Sequence, residues 1–197
     1  MHERHGAKQP ERFDAARATV LDDVERFTYV SPERIVDLLV IPLGGIVVDF
    51  GTGTGTYAIE IARRTPHANV LALDEQPEML AKLAAKPEAA TLSNLRSMAS
   101  ADIPRFAGGV DRVFALNVLH EMGDDALSSL VGLLRFDGFA LVVDWNGDVA
   151  RDVGPPKGHV YGVADARARL DAFGLRGELV GGFPYHHAFI ARRSTHA

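Results

Sequence analysis

Cysteine is absent from the 197-residue sequence. Its absence excludes disulfide bonds, zinc sites built from thiolates, iron–sulfur clusters and cysteine nucleophiles. Long apolar runs are absent as well: no stretch approaches the ~20 residues that span a bilayer, and the first residues lack the apolar segment of a signal peptide. We therefore expect a cytoplasmic protein without a membrane span.

An excess of basic residues is also lacking. The 21 Lys and Arg residues are outnumbered by 26 Asp and Glu, which gives a formal charge of −5. Because nucleic acids bind broad basic faces, this balance does not favour a nucleic-acid partner. With 47% apolar residues, the chain suits one compact domain over residues 1–197 with a large core.

From residue 46 onward, short β-rich runs alternate with patterns of helical spacing. Strands are predicted at 46–50, 70–73, 94–98, 111–116, 139–143, 175–180 and 188–191. Between them, apolar residues recur every three or four positions, as in a helix with Leu127, Leu130, Val131 and Leu134 on one face. This alternation predicts an α/β fold with a mainly parallel seven-stranded sheet, closed by an antiparallel hairpin through residues 181–184.

Residues 1–42 precede this core, which we expect to comprise residues 43–197. Apolar residues between Phe13 and Phe27 have roughly helical spacing, and Ser31 with Pro32 is typical of the start of a further helix. We therefore predict an N-terminal helical cap on the sheet rather than a separate domain.

The strongest motif is the segment 49–55, DFGTGTG, at the end of the first predicted strand. Its glycines let a ligand press against bare backbone, and the helix N-terminus behind them offers free N–H groups. A dinucleotide-binding loop would need its third glycine at the position of Thr56, and a phosphate-binding P-loop would need a lysine that this loop lacks. The alternative is that the glycines only form a tight strand-to-helix turn and bind no ligand.

A second acid supports a ligand site at this loop. Asp74 ends the second predicted strand about 19 residues after Gly55, near the spacing at which an acid meets a ribose in βαβ nucleotide folds. Together with Asp49, the pattern D-x-G-x-G-x-G resembles motif I of the class I S-adenosylmethionine-dependent methyltransferases. The resemblance implies a Rossmann-like, doubly wound fold and S-adenosylmethionine as the cofactor.

The resemblance covers most of the chain and implies a set of cofactor contacts. They are Asp49, Gly51, Thr52, Gly53, Gly55, Asp74, Glu75, Ser100, Ala101, Asp102 and Asn117. Relatives often carry an acidic residue at the position of Ala99. Because this chain has no acid there, the exocyclic amine of the adenine would have to bind backbone groups or Asp102. Segments 117–122 and 144–156 are similar to small methyltransferases of the ubiquinone/menaquinone-biosynthesis type, which does not specify an acceptor.

His120 follows the fourth predicted strand, where the family's methyl-transfer pocket opens. Its ordinary pKa suits proton transfer near neutral pH, so we predict a catalytic base at His120 with Glu121 beside it. The alternatives are a pocket-lining histidine without a proton role, and a glutamate that caps the next helix or faces water. His186 and His187 should point to opposite faces of the hairpin, and no H-x-x-x-H or H-E-x-x-H spacing occurs, so we predict no metal site.

Three functions fit these features. A methyltransferase for a small-molecule acceptor is favoured, because the chain has no large insertion or appended domain. A catalytically inactive protein that binds S-adenosylmethionine and serves a regulatory or partner-binding role is the second. A nicotinamide oxidoreductase is the third, and Thr56 opposes it. The oligomeric state is not predicted.

Overall fold

The computed structural model describes residues 13–194. The strands are β1 (Ile46–Phe50), β2 (Asn69–Asp74), β3 (Leu95–Ala99), β4 (Val110–Leu116), β5 (Leu134–Trp145), β6 (Leu175–Val180) and β7 (His186–Arg193). The α-helices are α1 (Pro32–Leu39), α2 (Thr56–Arg64), α3 (Pro77–Ala84), α4 (Pro87–Ala90), α5 (Asp124–Leu133) and α6 (Val163–Asp171). Short 3-10 helices lie at Ala15–Asp22, Val24–Thr28, Ser100–Phe106, Leu119–Glu121 and Lys157–His159. No helix within residues 13–194 is long and apolar enough to cross a membrane.

The seven strands form one sheet in the order β3-β2-β1-β4-β5-β7-β6. The first five pair in parallel, and β7 runs antiparallel between β5 and β6. The strand order reverses its direction between β1 and β4, and open α/β sheets bind ligands beyond the carboxyl ends of the strands at such a point. The architecture confirms the predicted doubly wound, mainly parallel sheet with an antiparallel C-terminal hairpin.

Apolar side chains cover both faces of the sheet. Consecutive residues of the central strands enter opposite layers: Val47 and Phe114 lie in one layer, and Val48 and Val113 in the other. Helices α1 and α2 pack against the first layer, and α5 and α6 against the second. Because both faces are buried, the central strands are mostly apolar, and their charged residues, such as Asp49 and Asp111, lie towards the strand ends.

Helix α5 and strand β5 meet at a different residue from the one that the spacing predicts. Leu134 shares the helical apolar face in the sequence, but its backbone is extended (φ −63°, ψ 131°) and it pairs with Val110 as the first residue of β5. The register between β4 and β5 then shifts before Arg112. Leu134 is fully buried in the strand, and it would satisfy the helical apolar spacing equally well, so periodicity could not separate the two states.

The segment before α1 is not the continuous helix that the spacing predicts. Two 3-10 helices take its place, and the side chains of Asp14 and Asp23 cap them by accepting hydrogen bonds from the backbone N–H groups of Ala16 and Glu25 (both 2.9 Å). An aspartate cap in mid-segment competes with helix continuation, which explains the break at Asp23. Residues 1–12 of the predicted cap lie outside the described residues.

Candidate active site

The glycine loop connects β1 to α2 at the carboxyl edge of the sheet. Gly51 and Gly53 line a cavity of about 800 Å³ that opens above the loop. Gly55 does not line it and serves a structural purpose instead, since its φ is +77° and a Cβ atom there would lie 2.3 Å from Cδ1 of the buried Leu83. The third glycine therefore lets the loop pack directly against α3, while the first two offer bare backbone to a ligand.

Asp74 is fixed by two backbone groups at the end of β2. Its Oδ2 accepts a hydrogen bond from Gly53 N (2.8 Å), and its Oδ1 accepts one from Gln76 N (2.9 Å). Burial raises the pKa of Asp74, and these two hydrogen bonds oppose the rise. Since each carboxylate oxygen has two acceptor positions, the fixed side chain can still accept from a ligand in the cavity.

Asp49 lies deeper, at the end of β1, with 2% of its surface exposed. Its Oδ2 accepts a hydrogen bond from the Thr52 hydroxyl (2.7 Å). Burial raises the pKa of Asp49 to about 7, the Thr52 hydrogen bond opposes the rise, and the nearby charge of Asp74 adds to it. The loop thus holds two carboxylates in a poorly solvated site, an arrangement that favours a cationic ligand.

Most of the predicted cofactor residues line this cavity. They are Asp49, Gly51, Thr52, Gly53, Asp74, Glu75, Ser100 and Asn117. Ala101 and Asp102 do not: Asp102 accepts a hydrogen bond from Arg105 (3.2 Å) and borders a separate, smaller depression. Because side chains three residues apart share a face of a 3-10 helix, Ile103 accompanies Ser100 into the cavity in place of Asp102.

Asn117 follows β4 in a left-handed conformation (φ +57°). Its backbone N–H donates to Val143 O (2.8 Å), which fixes the residue at the edge of the sheet. Its side-chain Oδ1 is buried and accepts no hydrogen bond from residues 13–194. A buried acceptor beside a cavity is costly unless a ligand or water satisfies it.

The segment before α1 covers part of the cavity. Phe13, Leu21 and Arg26 line it, and Arg26 is the only Arg or Lys to do so in the described part of the chain. The guanidinium of Arg26 donates to Leu21 O (2.7 Å) and lies 5.2 Å from the centre of the Tyr57 ring. Sequence reasoning missed Arg26, because nothing in the local sequence distinguishes it from an exposed arginine.

Asp22 anchors the same segment to the glycine loop. Its Oδ1 accepts hydrogen bonds from the hydroxyls of Thr54 (2.6 Å) and Thr56 (2.9 Å) and from Lys86 Nζ (2.5 Å). These contacts lower the pKa of Asp22 against the opposing effect of its burial. Thr56, the residue that argues against a dinucleotide loop, thus serves to hold the cap.

His120 and Glu121 take different positions relative to the cavity. Glu121 lines it, and His120 does not. Nδ1 of His120 lies 2.8 Å from Oδ1 of Asp144, and its backbone N–H donates to Oδ2 of the same carboxylate (2.9 Å). Nε2 of His120 faces Oε1 of Glu121 at 3.6 Å. The predicted partner Glu121 is therefore present, but Asp144 makes the closer contact.

Trp145 and the hairpin histidines lie away from the cavity lining. The Trp145 ring packs on His186 (4.2 Å between ring centres) and on Tyr29 (5.8 Å). Burial lowers the pKa of His186 to about 3, so this imidazole is neutral and contributes packing contacts. Within residues 13–194, no group of three or more His, Cys, Asp or Glu side chains is arranged to hold a metal ion.

Comparison with known families and proteins agrees with this geometry. A family model described as a methyltransferase domain matches residues 47–138, the stretch that holds the glycine loop, Asp74 and Asn117. A curated relative, trans-aconitate 2-methyltransferase of Deinococcus radiodurans, is 38% identical over 78 residues, which are 40% of this chain and 28% of the relative. The chain therefore matches only about a quarter of that relative's length.

Solved structures extend the likeness over nearly the whole chain. A SAM-dependent methyltransferase from Aquifex aeolicus aligns with a TM-score of 0.83 and 26% identity, over 91% of this chain and 98% of that one. CalO1, a methyltransferase in calicheamicin biosynthesis solved with SAH bound, aligns with a TM-score of 0.59 and 20% identity, over 87% and 58% of the two chains. This second likeness shows the fold alone.

The strand order, the glycine loop and the matched segment are those of a methyltransferase domain with a Rossmann-like fold. The chain is thus similar to class I S-adenosylmethionine-dependent methyltransferases over nearly its whole length, and this likeness supports S-adenosylmethionine as its cofactor. The likeness to the ubiquinone/menaquinone-biosynthesis type stays a prediction.

Proposed function

We propose that this methyltransferase acts on a small-molecule acceptor by direct displacement, within the cavity above the glycine loop. The observation that carries the proposal is the cavity itself. A cavity of about 800 Å³ lies between the loop and the N-terminal cap, and pockets of this size bind small ligands.

The residues that line the cavity fit the groups of the cofactor. Asp74 is placed to accept from the ribose hydroxyls, as an ionised carboxylate can accept two hydrogen bonds. The buried, unpartnered Oδ1 of Asn117 suits the ammonium group of the methionine moiety, and Arg26 suits its carboxylate. Glu75 and Ile103 border the space left for the adenine.

When bound, S-adenosylmethionine would supply a methyl carbon, activated by its cationic sulfur, for displacement by the acceptor's lone pair. The protein's own part is to align the two reactants and to exclude water. Phe13 and Leu21 cover the cavity from the cap, and Met122 adds an apolar wall from the other side. These three side chains are suited to border an acceptor.

Methyl transfer from methyl-tritiated S-adenosylmethionine to a panel of hydroxyl, amine and carboxylic-acid compounds tests the proposal. We expect turnover of at least one small molecule, and its loss in Asp74→Ala. The matched variant Asp37→Asn changes a residue of α1 that lies outside the cavity and should keep turnover. Tight cofactor binding without transfer to any small molecule would favour the inactive, partner-binding alternative. A cytoplasmic location stays a prediction.

A further inference from the structure

Three ionisable side chains stand in a row between the sheet and the cavity. Asp144, the second-to-last residue of β5, is almost fully buried, with 1% of its surface exposed. His120 comes next, with 2.8 Å between its Nδ1 and Asp144 Oδ1. Glu121 follows, with 3.6 Å between its Oε1 and His120 Nε2, and it alone of the three lines the cavity.

Asp144 fixes the orientation of the imidazole. A carboxylate accepts hydrogen bonds only, so Nδ1 of His120 must carry the proton that points at Asp144. The same carboxylate also accepts from the backbone N–H groups of His120 (2.9 Å) and Trp145 (2.7 Å), which hold it in place. Nε2 is therefore the nitrogen that is left to exchange a proton, and it faces Glu121.

Glu121 is held at the cavity wall by groups on two sides. Oε1 faces His120, and Oε2 accepts a hydrogen bond from the backbone N–H of Phe13 (3.1 Å), which belongs to the cap. A group that transfers a proton must lie within hydrogen-bond reach of the reacting atom. Among the three side chains, only Glu121 reaches the space where an acceptor would lie.

We infer that Glu121, rather than His120, takes the proton of the methyl acceptor, and that His120 and Asp144 are positioning residues behind it. This inference rests on the proposed function and narrows its acceptor to a compound with a hydroxyl or amine nucleophile. The X–H proton of the acceptor passes to a Glu121 carboxylate oxygen as X gains the methyl group. The resulting carboxylic acid passes the proton to Nε2 of His120 once the 3.6 Å gap between them closes to hydrogen-bond distance, and Asp144 balances the imidazolium.

The charges around the row favour a shared proton. Burial opposes protonation of His120, but the charge and hydrogen bond of Asp144, with Glu121 on the other side, outweigh it and raise the His120 pKa; Arg151 acts in the opposite direction. Burial raises the pKa of Glu121 as well, against the effect of His120. Asp74 adds to the rise at Glu121, and His186 and His187 face Asp144 from β7.

An acceptor that is already ionised gives a contrasting case. A carboxylic acid has lost its proton at neutral pH, so its methylation needs no base and gives Glu121 no proton to take. A hydroxyl or ammonium group keeps its proton and depends on a base. The response to Glu121→Gln therefore distinguishes the two classes of acceptor.

The experiment compares wild type with Glu121→Gln, His120→Gln, Asp144→Asn and the control Glu178→Gln, an exposed glutamate on β6. Methyl transfer is measured on catechol, a primary amine and trans-aconitate, and S-adenosylmethionine affinity by calorimetry. In cofactor-free protein, histidine-labelled NMR titration gives the His120 pKa, with its signal assigned by its loss in His120→Gln.

We expect Glu121→Gln to lower kcat on the hydroxyl or amine acceptor by about 100-fold or more, with KM and cofactor affinity within a few-fold. His120→Gln and Asp144→Asn should lower kcat less, by about 10-fold, and shift the pH–rate profile. The His120 pKa should fall in both Glu121→Gln and Asp144→Asn. Glu178→Gln should change none of these quantities.

Any of four results would overturn the inference. Two concern kcat: no change in Glu121→Gln, or a larger fall in His120→Gln than in Glu121→Gln. The others are methylation of trans-aconitate alone and an unchanged His120 pKa in Glu121→Gln. Failure of the proposed function looks different, because it shows as wild-type protein that methylates no compound in the panel. The NMR titration then still decides whether Glu121 and His120 share a proton, since it needs neither cofactor nor acceptor.

Discussion

The cavity has two sides that are built from different contacts. On the loop side, made of residues 49–55 and Asp74, the contacts join the ends of paired strands, as between Gly53 N and Asp74 Oδ2 (2.8 Å). On the cap side, made of residues 13–28 and 117–126, contacts join distant segments, and Phe13 and Glu121 are 108 residues apart. The loop side therefore rests mainly on neighbouring strands and on helix α3, whereas the cap side requires the docked cap.

The two sides also differ in how their charges are balanced. On the loop side, burial raises the pKa of Asp49, and the nearby charge of Asp74 raises it further. On the cap side, Glu121 is paired with His120 and Asp22 with Lys86. Without a ligand, the buried carboxylates of the loop side therefore carry the larger electrostatic penalty. A cationic cofactor would reduce this penalty.

Gly55→Ala is expected to have the largest effect, because it disrupts the packing of the glycine loop on the loop side. The new Cβ would need a positive φ and would meet Leu83 at 2.3 Å, so we expect the free energy of unfolding to fall by about 2–4 kcal/mol. Cofactor affinity should fall with it. The control Gly132→Ala places a methyl group in open space on α5 and should be neutral or slightly stabilising. Equal stability of the two variants in urea unfolding would show that the close packing of Gly55 is not needed.

Asp49→Asn should stabilise the cofactor-free protein while it weakens cofactor binding. The folded pKa of about 7 lies above the ordinary value, so the folded state holds a proton that the unfolded chain has lost, and stability falls as pH rises from about 4 to about 7. Removing the charge should raise the free energy of unfolding by on the order of 2–4 kcal/mol at pH 8 and by almost nothing at pH 4. Thermal unfolding at both pH values checks this, and a gain of equal size at both would contradict the raised pKa.

Asp74→Ala should weaken S-adenosylmethionine binding by about 10-fold or more, because it removes hydrogen bonds to a charged acceptor. Calorimetry measures the change, with Asp37→Asn, on α1 and outside the cavity, as the matched variant. Unchanged affinity in a folded Asp74→Ala protein would remove this carboxylate from the cofactor site.

The smallest expected effect comes from the cap side. Leu21 lines the cavity, whereas its neighbour Val20 is 49% exposed. Leu21→Ala should raise the acceptor KM by a few-fold through lost apolar contact, and Val20→Ala should leave it unchanged. If both variants behave alike, the cap does not border the acceptor, and the difference between the two sides of the cavity is structural only.

The loop side could be predicted from the sequence because its signals are local. The glycine spacing, the acids at two strand ends and the apolar runs of β1 and β2 each lie within a few residues of one another, and strand-end geometry brings them together. The exceptions are Gly55, which packs on Leu83, and Ala101 and Asp102. In the 3-10 helix that follows β3, Ser100 and Ile103 face the cavity instead.

The cap side could not be predicted in the same way. Nothing near Arg26 or Phe13 in the sequence indicates that they reach a cavity formed by β1 and β4, and the contact of His120 with Asp144 depends on the pairing of β4 with β5. Position after β4 favours His120 in the sequence, and the structure places Glu121 at the cavity wall in its stead. The helical spacing of residues 13–27 is also misleading, because Asp23 interrupts the helix with a cap.

The central claim is that the glycine loop with its two carboxylates holds S-adenosylmethionine. Calorimetric titration of the wild-type protein with S-adenosylmethionine, with its demethylated product and with NAD tests it most directly. The account predicts that the first two bind and that NAD binds far more weakly, since Thr56 replaces the third glycine of a dinucleotide loop and hydrogen-bonds Asp22 of the cap. Tighter binding of NAD than of S-adenosylmethionine would contradict it.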